Sequence, residues 1–78
     1  MTRRTRVKSR FAICVENERY AASLERWKVY RVLADREAAK LGHVRVIDES
    51  GEDYLYPEEY FEFVSLPPKL RRLYPRTR

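Results

Sequence analysis

Apolar and polar positions change over in short bursts along this chain and do not recur every three or four residues over long stretches. Residues 8–15 end in the apolar run Phe11-Ala12-Ile13-Cys14-Val15, which the polar group Glu16-Asn17-Glu18-Arg19 stops. This predicts a strand followed by a loop. The loop is long: residues 16–26 bring Tyr20, Ala21, Ala22 and Leu24, able to form a helical turn or to lie back on a core. Lys28-Val29-Tyr30-Arg31-Val32-Leu33 is rich in β-branched and aromatic residues and predicts the second strand. Asp35 as N-cap, Glu37 in the first turn, Lys40 in the last and Gly42 at the left-handed closing position predict a helix of two turns. Residues 43–48 form the next strand, residues 49–52 a hairpin connection with Gly51 at its demanding position, and residues 53–56 return antiparallel. Pro57 opens one tight helical turn that ends at Tyr60. Residues 61–66 alternate so that Phe61 and Phe63 share a face, and Pro67-Pro68 ends the strand. No internal repeat is visible.

Five short strands, each with an apolar face, close most economically as a small barrel, because closure leaves no bare edge. The expected fold is mainly β: a five-stranded barrel with a short helix in the second loop and a 3-10 turn before the last strand. Residues 1–8 read as a basic N-terminal tail, 9–66 as the barrel and 67–78 as a Pro/Arg-rich C-terminal tail, both tails flexible.

Seventy-eight residues allow one domain with a small core. At 44% hydrophobic and 37% charged the chain is too apolar for a disordered protein and too charged for a membrane span. Its uncharged apolar stretches fall far short of the roughly 20 residues that cross a bilayer. The basic start, with Lys8 and Arg10 interrupting the apolar residues behind it, lacks a signal-peptide pattern, so a cytoplasmic location is expected.

The net charge of +5 is unevenly placed. Arg3, Arg4, Arg6, Lys8 and Arg10 stand in residues 1–10 without an acid, and Lys69, Arg71, Arg72, Arg76 and Arg78 stand in residues 69–78 without one. All 12 acids lie between them with seven bases, leaving that part at −5. An acidic globule between basic tails repels a polyanion from its folded faces, so any affinity for nucleic acid belongs to those ten residues.

The segment Tyr54-Leu55-Tyr56-Pro57-Glu58-Glu59-Tyr60-Phe61, together with the order of elements, resembles SH3-type barrels, in which a hairpin strand ends in Pro, a 3-10 turn ends in Tyr and the last strand begins with an apolar residue. The likeness spans about residues 9–66. Lys28-Val29-Tyr30 and the later run from Asp48 to Pro57 also resemble small bacterial SH3-like proteins without an assigned function. Pro57 and Tyr60 fall where the family places a groove Pro and Tyr. The first strand lacks the tyrosines of the Ala-Leu-Tyr-Asp-Tyr motif, and the groove tryptophan is absent, with Trp27 standing instead before the second strand. Proline-rich peptide recognition is therefore not carried over.

The remaining chemistry is sparse. Cys14, in an apolar run, reads as a small buried side chain, and His43 has no second His or Cys with which to bind zinc. Asp48, Glu49, Glu52 and Asp53 read as turn formers, since their spacing is not that of a calcium loop. With no nucleophile and base, no phosphate loop and little volume, neither catalysis, a metal, a cofactor nor a small-molecule substrate is expected. The leading expectation is a non-catalytic module that binds a basic protein partner through Glu16, Glu18, Tyr20, Trp27, Pro57 and Tyr60. The alternatives are a nucleic-acid- or ribosome-associated protein acting through its basic tails, and a structural subunit with an oversized apolar face.

Overall fold

In the computed structural model, residues 9–74 are described. Arg3, Arg4, Arg6, Lys8, Arg76 and Arg78 lie outside them. The strands β1 (Ser9–Cys14), β2 (Val29–Leu33), β3 (His43–Ile47), β4 (Asp53–Pro57) and β5 (Phe61–Val64) form one antiparallel sheet in the order β4-β3-β2-β1-β5. Helix α1 (Arg36–Lys40) lies between β2 and β3, and a 3-10 turn (Glu58–Tyr60) joins β4 to β5. Alternation along the strands explains the core: Ala12, Cys14, Tyr30, Val32, Val44, Val46, Tyr56 and Phe61 pack on one side, and Leu24 folds back from the long loop to join them.

The turn chemistry acts as its residues dictate. The Asp35 carboxylate accepts the Ala38 N–H at 2.9 Å and caps α1, and Gly42 closes that segment at φ 76°. In the β3–β4 hairpin, Asp48 N–H donates to Glu52 O and Gly51 N–H to Asp48 O, with Gly51 at φ 86°. That is the three-residue loop whose last position favours glycine.

Two expectations need correction. The sheet is not closed into a barrel: β4 and β5 are its edges and share no ladder. The 3-10 turn carries the chain across the end of the core, where Val15 N–H donates to Tyr60 O, so β5 pairs with β1 and not with β4. Nor do residues 67–78 form a tail throughout, because helix α2 (Pro68–Leu73) lies within them. Pro68 begins that helix at a position where the missing N–H costs nothing, whereas Pro57, expected as the first residue of the 3-10 turn, ends β4 and stands as the N-cap of that turn. Tyr74, just beyond α2, sets its ring 5.0 Å from that of Phe11 and donates its hydroxyl to Val29 O at 2.6 Å. Phe11 faces away from the main core and is buried by this cover.

Candidate functional site

The structure gathers four of the six expected docking residues and separates the other two by different amounts. The loop turns at Asn17, whose carbonyl accepts the Tyr20 N–H and whose side chain donates to Leu24 O at 2.8 Å. This seats the Tyr20 ring edge-on against Tyr56 at 5.0 Å and against Tyr60 at 5.9 Å. Glu16 accepts the Glu18 N–H at 3.0 Å, which holds both carboxylates near Tyr60. Burial first, then the charges of Glu16 and Glu18, raises the Tyr60 pKa, while Arg19 opposes them. Glu16, Glu18, Tyr20 and Tyr60 therefore form an aromatic shelf with an acidic margin. Pro57, paired with His43 at the end of β4, opens on the far side of the 3-10 turn, over a shallow cleft with Glu58, Glu59 and Glu62.

Trp27 stands apart. Its N–H donates to Cys14 O at 2.6 Å while Cys14 N–H donates to Lys28 O at 3.0 Å, so Trp27 and Lys28 together oppose Cys14. With Trp27 at φ 72°, this is a bulge whose first residue is ordinarily glycine. The same residue is the third of a turn closed by Lys28 N–H donating to Glu25 O, again a glycine position. A bulky side chain there is a backbone outlier of about 1–2 kcal/mol. The indole is 68% exposed and makes no ring contact among the described residues. Trp27 and Tyr60 are anchored on opposite sides of the β1 end, about 10 Å apart by strand spacing, so the expected surface is two flanks of one strand end.

The groups that could carry chemistry hold the fold together. Asp48, 5% exposed, accepts from Ser50 N–H, Ser50 Oγ and the Tyr56 hydroxyl. Burial and then Asp48 push the Tyr56 pKa up to about 12. Glu49 accepts from Lys28 Nζ at 2.7 Å and from the Tyr30 hydroxyl, and these partners hold its carboxyl below the usual range. Glu52 accepts the Tyr54 hydroxyl, and Asp53 pairs with Arg45, which also pairs with Asp35. Burial pushes the Cys14 thiol up, and its Sγ donates to Glu16 O at 3.2 Å. No helix among the described residues is long and apolar enough to cross a membrane.

Of the basic residues expected to meet phosphate, Arg10 and Arg71 line one cleft of about 290 Å³, with the Arg10 guanidinium 4.4 Å above the Phe63 ring. Lys69, Arg71 and Arg72 lie exposed on α2. Sequence reasoning missed α2 and Tyr74 as part of the molecular surface. The signal was present: apolar residues at every position from 11 to 15 leave both faces of β1 needing cover. Comparison with protein-family models, curated proteins and solved structures gives no match.

Proposed function

We propose that this chain is a small non-catalytic interaction module of SH3-like architecture that docks on a protein partner. Trp27 is the anchor, Glu16, Glu18, Tyr20 and Tyr60 form the neighbouring shelf, and Pro57 extends the surface beyond the 3-10 turn. The observation that carries this reading is the exposed Trp27 indole on a backbone position suited to glycine. Strain of that kind persists where a side chain must be presented, and tryptophan is among the residues that dominate binding energy at interfaces. The SH3-like part is supported by Pro57 at the end of β4, a 3-10 turn ending at Tyr60 and Phe61 opening β5.

The test is retention of proteins from lysate of the source organism on the full-length chain after nuclease treatment. The affinity of the retained protein is then measured for the wild type and for Trp27→Gly. A loss of at least tenfold in a folded variant is expected, whereas unchanged affinity removes Trp27 from the interface. A second reading, phosphate binding by the basic residues, is favoured by the shared cleft of Arg10 and Arg71. It requires retention that nuclease abolishes.

A further inference from the structure

The outer face of the sheet is covered only in part. Leu70 and Leu73 are three residues apart on α2, hence on one side of the helix. With Val29, Leu66 and Tyr74 they line an apolar groove of about 260 Å³. Leucines that merely pinned so short a helix to the sheet would be buried, yet Leu70 is 50% and Leu73 66% exposed. The surroundings are cationic. Lys69, Arg71 and Arg72 are exposed on the same helix, and residues 63–74 contain no acid. The acid that acts on Tyr74, Glu49, is held by Lys28. Three described bases are matched elsewhere, Lys28 by Glu49, Arg45 by Asp35 and Asp53, and Lys40 by Glu37. No described carboxylate lies within ion-pair reach of Lys69, Arg71 or Arg72.

We infer that this groove docks an acidic amphipathic segment of a partner protein, with the segment's aliphatic side chains on Leu70 and Leu73 and its carboxylates on the cations of α2. Helix-in-groove recognition of this kind combines spaced apolar anchors with a charged margin. A nucleic acid would match the charge but offers no aliphatic side chain to fill the groove, and a neutral apolar segment would leave the cations without partners. The site lies on α2 and β2, away from the acidic shelf, has the opposite charge preference, and does not depend on the role of Trp27.

The experiment uses the full-length chain and labelled synthetic peptides, read by fluorescence anisotropy at low salt. One peptide carries Leu at helical spacing with Glu elsewhere. A second replaces its Leu by Ser, and a third replaces its Glu by Lys. The Leu/Glu peptide is expected to bind, the other two at least tenfold more weakly, and the double substitution Leu70→Ser with Leu73→Ser to weaken the Leu/Glu peptide about tenfold or more. Trp27→Gly should leave that binding unchanged, which separates this site from the anchor proposed above. Equal binding of the Ser/Glu peptide, insensitivity to the leucine substitutions, or no binding of the Leu/Glu peptide would each overturn the inference. So would a single-stranded oligonucleotide that displaces the peptide and binds the leucine variant as well as the wild type. Both leucines are exposed, so the variant is expected to fold, and its circular dichroism checks this.

Discussion

Trp27 holds a backbone conformation that favours glycine, and its exposed indole gives the core nothing in return. Replacing it with glycine removes about 1–2 kcal/mol of left-handed strain and gives back about 0.5–1 kcal/mol through the freer unfolded chain. Trp27→Gly is therefore expected to raise stability by about 0.5–1 kcal/mol in urea denaturation. Trp27→Ala keeps a Cβ at positive φ and should gain little. Asp48 behaves oppositely: Asp48→Ala leaves the Tyr56 hydroxyl and Ser50 without their acceptor in a buried site, at a cost of about 2–3 kcal/mol. The thiol of Cys14 is buried and its pKa raised, so a thiol reagent should label it at the rate of unfolding and not before.

Titration follows from the same contacts. The folded-state pKa of Glu49 is lowered, first by Lys28 and then by Tyr30. Its contribution is complete above the ordinary Glu range and is lost as pH falls through the folded value. The folded-state pKa of Tyr56 is raised to about 12, so its contribution is complete below the ordinary tyrosine value of about 10 and is lost as pH rises through about 12. Urea midpoints across pH should fall on both limbs, and Glu49→Gln should flatten the acid limb and also weaken the alkaline one, because burial and then the bond to Glu49 raise the Tyr30 pKa.

At the scale of elements, the sequence was informative wherever a local rule acts alone. The alternation in β2 and β3, the Asp35 cap, Gly42, Gly51 and the turn after Pro57 all stand close to where their residues place them. Alternation tells which face of a strand is buried but not whether two edges meet, so an open sheet and a barrel read alike. Pro67-Pro68 was ambiguous for a physical reason: proline stops a strand and also starts a helix, and only the need to cover the outer side of Phe11 decides between them. Trp27 was legible as an aromatic just before the second strand but not as a strained one, since nothing in the sequence marks a glycine position filled by tryptophan. Deleting residues 67–78 should uncover Phe11 and cost about 2 kcal/mol. Tyr74→Phe, which removes only the hydroxyl bonded to Val29 O, should cost about 1 kcal/mol. Both are read from denaturation midpoints.

For the molecule as a whole, charge distinguishes the rival readings. If all ten terminal bases engaged duplex DNA, log affinity would fall with log salt at a slope near about −9, and at roughly half that if five did. A protein partner anchored by an exposed indole gives a much shallower dependence, because burial of an aromatic ring is not screened. The central claim is that the strain at Trp27 serves binding. The most direct test compares Trp27→Gly with the wild type on one preparation, measuring stability in urea and affinity for the protein retained after nuclease treatment. A variant that is more stable yet binds at least tenfold more weakly is the predicted result. A variant that is more stable and binds unchanged would show that the exposed tryptophan serves no docking role, and would contradict the account.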